Sequence, residues 1–190
     1  MSKILVAIGP SGVGKSTLFA PLRQECLVRL VPTWTTRKSR HYEDPANADH
    51  VFIDDNEFNA REQAGFFLET VQLFGLEARY GLPREALEDD GSSIRVLMLR
   101  AMLLQRLPQY FPAYIVYQVE APRARVEAHL RARVERDGDI GSRLANFEDE
   151  LQLGRRLAHR VVDNSAAPEA ALTQLRNWLR EDFTNDRRAI

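Results

Sequence analysis

One cysteine, Cys26, occurs in 190 residues, which rules out an internal disulfide and fits a reducing cytoplasm. Lysine is also scarce: only Lys3, Lys15 and Lys38 occur, against 23 arginines. Arginine suits bidentate phosphate recognition, but a genome-wide composition bias is the blander and preferred explanation. The net charge is −1, so no global positive field is available to hold a nucleic-acid backbone. Any anion must be gripped by a local cluster of Arg and Lys, and nucleic acid is not an expected partner. The longest apolar run, near Ile4 to Ile8, is far too short to span a bilayer. It also lacks the charged start and cleavage site of a secretory signal, so a soluble cytoplasmic protein with no membrane partner is expected. His41, His50, His129 and His159 are scattered without metal-ligand spacing, and surface or packing roles are expected for all four.

What the chain does have is an alternation of strand and helix signals. The 44% apolar and 28% charged residues are ordinary for a soluble globular protein. Ile4 to Ile8 is a continuous apolar run ending in Gly9, as expected of a strand covered on both faces. Ser16 to Gln24 reads as a helix, and Leu27 to Val31 as the next strand, stopped by Pro32. Residues 33–53 are polar and read as a functional excursion. Asp54 followed by Glu57 has the spacing of a capping box, and Pro83 suits a first helical position. Strand patterns return at Ile94 to Leu99 and Tyr114 to Val119, each followed by a helix, Ala101 to Leu107 and about Pro122 to Arg136. Ile140, Leu144, Phe147 and Leu151 share one helical face. Val161 and Val162 form a last short strand, and Pro168 to Phe183 a closing helix, with the tail from Asn185 expected to fray. The alternation argues for a parallel sheet covered on both faces.

The strongest chemical signal is Gly9-Pro10-Ser11-Gly12-Val13-Gly14-Lys15-Ser16, a full match to G-x-x-x-x-G-K-[ST]. Glycines let the backbone curl and aim its N–H groups at phosphate oxygens. The helix that begins near Lys15 adds its positive end. Lys15 is expected on the β- and γ-phosphates of ATP, with Ser16 as the Mg²⁺ ligand and Thr17 completing the ATP-binding run. A buried strand before the motif and a helix after it are the context this cradle needs.

Beyond this cradle the chain resembles the guanylate kinase family. Thr33-Trp34-Thr35-Thr36-Arg37-Lys38-Ser39-Arg40 looks like that family's S-x-T-T-R-x-P-R, and Glu43 falls where it has a Glu. Asp49-His50-Val51-Phe52-Ile53 is similar to D-Y-x-F-V, and Phe67-Leu68-Glu69 with Arg79-Tyr80-Gly81 to F-x-E … Y-Y-G. Leu130-Arg131-Ala132-Arg133 and Arg143-Leu144 resemble a lid motif R-L-x-x-R … R-L, and Val161-Val162-Asp163-Asn164 a late V-x-N. The resemblance implies that Arg37 and Arg40 hold the acceptor's phosphate with Tyr80, and that Thr33, Glu43 and Glu69 belong to the acceptor site, Glu69 reading guanine. It implies that Arg133 and Arg143 close on the triphosphate as catalytic groups beside Lys15 and Arg37, and that Asn164 contacts adenine.

Three departures concern the acceptor. The family's two acidic positions at the end of the third core strand are Leu97 and Leu99 here. Leu82 replaces the Ser or Thr after Tyr-Gly, and His50 replaces a Tyr. A related group, the ribose 1,5-bisphosphate phosphokinases, lacks the guanine-reading carboxylates; Leu99-Arg100-Ala101 resembles its S-R-A, while Glu43 and Glu69 pull the other way.

The expected fold is therefore α/β, a three-layer P-loop kinase with a parallel-sheet core, an inserted acceptor-binding lobe and a helical lid. Residues 1–190 form one domain: core 1–33, 84–122 and 146–184, acceptor lobe 34–83, lid 123–145. The expected activity is Mg²⁺-dependent transfer from ATP to a small phosphorylated acceptor, GMP first, by a monomer or homodimer. Ribose 1,5-bisphosphate or another phosphorylated small molecule is the alternative acceptor. A non-catalytic binding module is the alternative class, which an intact Lys15-Ser16 argues against.

Overall fold

Strand β1 (Ile4–Ile8) is buried over its whole length. In the computed structural model, which describes residues 3–39, 49–72, 78–89, 91, 93–132, 140–141 and 144–184, it is the middle of a five-stranded sheet. The sheet runs β2 (Val28–Val31), β7 (Ile94–Met98), β1, β8 (Ile115–Glu120), β9 (Arg160–Asp163), and all its pairings are parallel. Because side chains alternate across a strand, Leu5 and Ala7 enter one core while Ile4, Val6 and Ile8 enter the other.

The first core is covered by α1 (Lys15–Gln24), α3 (Arg123–Ala132), α4 (Phe147–Leu157) and α5 (Pro168–Thr184). Ile140, Leu144, Phe147 and Leu151 all enter it, as their spacing predicts. The second core is covered by a 3-10 helix over Ala101–Gln109, through Leu104 and Leu107. A parallel sheet between two such layers is the three-layer α/β architecture of a P-loop kinase.

A second sheet of order β4 (His50–Phe52), β3 (Thr33–Thr35), β6 (Arg79–Pro83), β5 (Phe67–Gln72) stands beside the first. Its β3–β4 pairing is parallel and its other pairings antiparallel. Helix α2 (Asp55–Gln63) starts where expected, with Asp54 accepting from the Glu57 amide at 2.8 Å. The box is only half closed, because the Glu57 carboxylate takes the Arg61 guanidinium at 2.7 Å instead.

Two expected helices are 3-10 rather than α-helix. Pro83 ends β6 and caps a single 3-10 turn, Arg84–Leu87. The buried Arg95 of β7 explains why this segment stops there: its Nη1 donates to the Ala86 and Glu88 carbonyls at 2.8 and 3.0 Å, and Nη2 pairs with Asp89 at 3.2 Å. The segment after β7 is likewise 3-10, with Pro108 inside it. Among the described residues no helix is long and apolar enough to cross a membrane.

Candidate active site

The cradle lies between the end of β1 and the start of α1. Gly9 and Gly14 both need positive φ, 137° and 95°, and both are tightly overlaid. A Cβ on Gly9 would sit 2.4 Å from the Val119 carbonyl, and one on Gly14 2.5 Å from Asn164 Nδ2. Val13 is buried and seats the loop in the first core. Asn164, also buried, donates from Nδ2 to the Val13 carbonyl at 2.8 Å, so it braces the loop; its Oδ1 has no partner among the described residues.

Lys15 Nζ folds over the loop and donates to the carbonyls of Gly9 and Pro10, at 2.5 and 3.2 Å. Burial pushes its pKa down to about 8; Glu150 raises it, Arg100 lowers it and Asp49 raises it. Arg100 and Glu150 are themselves an ion pair of 2.7 Å, with Glu150 on α4 and Arg100 just before the second 3-10 helix. A lysine set back on its own loop, and poised to titrate, is a cation ready to swing onto phosphate.

The Ser16 hydroxyl donates to the Asp49 carboxylate, 33 residues away at the start of β4. That contact ties the cradle to the second sheet. Hydroxyl and carboxylate oxygens are the hard donors that suit Mg²⁺, which is usually held by one or two protein oxygens plus substrate phosphates. Among the described residues no group of three or more His, Cys, Asp or Glu could hold a metal ion.

Beside β3, β5 and β6 an open cleft is lined by Thr33, Glu69, Tyr80, Leu82, Leu99 and Arg106, among others. Thr33, Glu69 and Tyr80 were all expected in the acceptor site, and one cavity brings them together. Thr33 is buried and its hydroxyl bonds His50 Nδ1 at 2.6 Å, so His50 orients a pocket residue. Glu69 is held by Arg106, by Tyr110 Oη at 3.1 Å and by Gln109 at 3.4 Å. The single Tyr110 hydroxyl proton is shared with the Leu68 carbonyl, the nearer acceptor at 2.6 Å, and burial raises the tyrosine pKa, with the Glu69 bond adding to the rise.

Leu99 is part of the cleft wall, whereas Leu97 is fully buried in the second core. Arg37 lies on the second sheet's side, its amide donating to Thr35 Oγ1 at 3.1 Å and its guanidinium 5.0 Å from the centre of the Phe52 ring. Arg40, Glu43, Arg133 and Arg143 lie outside the described residues. Arg100, Glu150, Asp49 and Arg106 were not expected at the site. Their partners are remote in sequence, and only two carried a local signal: Arg100 in the Arg100-Ala101 pair after β7, and Asp49 at the head of the D-Y-x-F-V-like segment.

No family model matches the chain. It is 31% identical over 175 residues to "Ribose 1,5-bisphosphate phosphokinase PhnN" of Ruegeria sp. (strain TM1040), covering 90% of this chain and 88% of that protein. It is also 31% identical over 172 residues to "Guanylate kinase" of Thermosynechococcus vestitus, covering 88% and 82%. A crystal structure of guanylate kinase from Anaplasma phagocytophilum superposes with a TM-score of 0.67 at 24% identity, covering 95% of this chain and 86% of that one, a likeness of fold.

Proposed function

This chain belongs to the family of guanylate kinases and the related ribose 1,5-bisphosphate phosphokinases, and from that premise we propose that it transfers the γ-phosphoryl group of ATP to GMP. It is an ATP-dependent phosphotransferase of the P-loop kinase class. The observation that supports the acceptor reading is the Ser16–Asp49 contact, since the backbone carbonyl of Asp49 accepts from the Thr33 amide at 3.2 Å and Thr33 lines the cleft with Glu69 and Tyr80. Donor and acceptor sites are thereby joined through three residues.

In this reading the P-loop amides and Lys15 hold the triphosphate, and Arg37, Arg40 and Tyr80 receive the acceptor's phosphate. Glu69 and Thr33 orient the base. Ser16 and Asp49 would hold Mg²⁺, which when bound neutralises charge on the β- and γ-oxygens. No covalent nucleophile is needed: two dianionic groups are brought together by cations and kept in line, so catalysis is positioning plus electrostatics. Arg100 is a further cation near Lys15, fixed by Glu150. The working compartment in this reading is the cytoplasm.

A second acceptor, a ribose bisphosphate, is favoured by a specific feature. Leu99 takes one of the family's two acidic positions and lines the cleft, so a base-reading carboxylate is missing there, and Arg106 offers a cation to a second phosphate. A coupled ADP-release assay with ATP and Mg²⁺ separates the two. The acceptors are GMP, dGMP, AMP, CMP, UMP and ribose 1,5-bisphosphate, with Lys15→Ala as the blank. Turnover with GMP and not with AMP is the expected result; turnover with the sugar bisphosphate alone would replace it.

A further inference from the structure

We propose that Arg106 is a specificity-determining residue that reads the keto group of the acceptor base while Glu69 reads its N–H edge, an inference that rests on the nucleotide reading above. Arg106 projects from the second 3-10 helix and forms an ion pair with Glu69 of β5 at the wall of the cleft that both line. The pair is partly open to solvent, the Arg106 side chain 47% exposed and that of Glu69 24%, so an entering ring can reach both.

The wall thus presents a donor beside an acceptor. Guanine's edge is complementary: O6 accepts, and N1–H and the 2-amino group donate. Adenine sets an N6 amino donor against Arg106 and an unprotonated N1 against Glu69, which leaves both charges poorly matched. The carboxylate has room for this. An ionised carboxylate offers about four lone-pair directions, and among the described residues three donors reach Glu69, of which Gln109 and Tyr110 share Oε2 and Arg106 takes Oε1. One direction on Oε1 is left for a base N–H, next to the guanidinium.

This placement also answers the loss of polar groups at Leu82 and Leu99, both of which face the same cleft. Hydrophobic side chains there supply a slot for the ring faces, and the charged pair supplies the hydrogen bonds. Gln109 and Tyr110 fix the carboxylate, so the helix that carries Arg106 positions both halves of the reading surface.

The test is calorimetric titration of the full chain with GMP and with 6-thio-GMP, whose sulfur is a weak acceptor at the same position while N1–H is kept. Wild type is expected to prefer GMP by about tenfold, and Arg106→Ala to bind the two with nearly equal, weakened affinity. Arg106→Lys, which keeps a donor, is expected to retain part of the preference. An Arg106→Ala variant that binds less but keeps the tenfold preference would show that the residue only supports Glu69, and would overturn the proposal alone. Absence of GMP binding by wild type would overturn the nucleotide reading and this proposal with it.

Discussion

Arg100 and Glu150 meet in an ion pair of 2.7 Å, the carboxylate side chain only 8% exposed, and both charges act on the P-loop lysine. One carboxylate oxygen, Oε1, and the guanidinium Nε have no partner among the described residues. Removing one partner therefore leaves a charge with little compensation. Glu150→Ala is expected to cost about 2 kcal/mol of stability, less than a fully buried pair because Arg100 is 31% exposed. Urea unfolding measures it, and an unchanged midpoint at constant m would contradict it.

Proton linkage at Lys15 follows from its pKa of about 8, lowered first of all by burial. Phosphate beside the ammonium favours the charged form and raises that pKa. At pH 8.5 the free protein holds a partly neutral lysine and the complex a charged one, so ATP binding takes up protons. At pH 7 the lysine is mostly charged in both states and the uptake from this group fades. Calorimetry in buffers of different ionisation enthalpy measures it, and Lys15→Arg, charged throughout, should abolish it. Glu150→Gln removes a charge that raises the lysine pKa, so the uptake should begin at lower pH.

Asn164 holds the cradle through Val13, and nothing else among the described residues bonds that side chain. Asn164→Asp sets a carboxylate oxygen against the Val13 carbonyl in place of the donor. ATP affinity is expected to fall about tenfold, from a lost buried hydrogen bond and the repulsion that replaces it. ATP titration of the variant checks this; an unaltered affinity would mean the loop is held by its own turns.

Gly154 of α4 lies against the buried Gln118 of β8. An added Cβ would fall 1.5 Å from Gln118 Oε1 and 2.6 Å from its Cδ. Gln118 cannot swing away cheaply, because its Nε2 donates to the Leu151 carbonyl and to Glu120, both at 2.9 Å. Gly154→Ala should destabilise by about 3 kcal/mol through overpacking and a displaced amide. A thermal midpoint equal to wild type would show that α4 can shift outward.

Much of this was legible in the chain because it is local. Ile4 to Ile8, an apolar run ending in glycine, reads as a strand covered on both faces, and Gly9 to Ser16 as a phosphate-binding loop. The 3.6-residue spacing of Ile140, Leu144, Phe147 and Leu151 predicted their shared core. What was hidden is long-range. Arg106 reads as one more surface arginine until the fold sets it against Glu69, 37 residues earlier. Glu150 reads as an N-terminal helix charge until α4 packs beside Arg100. The 3-10 geometry over Ala101–Gln109 is a tertiary choice too, made where Leu104 and Leu107 enter the second core.

The most direct measurement follows the γ-phosphoryl group itself: labelled ATP with Mg²⁺ and GMP, the products resolved after incubation with wild type and with Lys15→Ala. Labelled GDP formed by wild type and absent with Lys15→Ala is the predicted result. No labelled GDP from wild type, with label instead on ribose bisphosphate when that is offered, would contradict GMP as the acceptor.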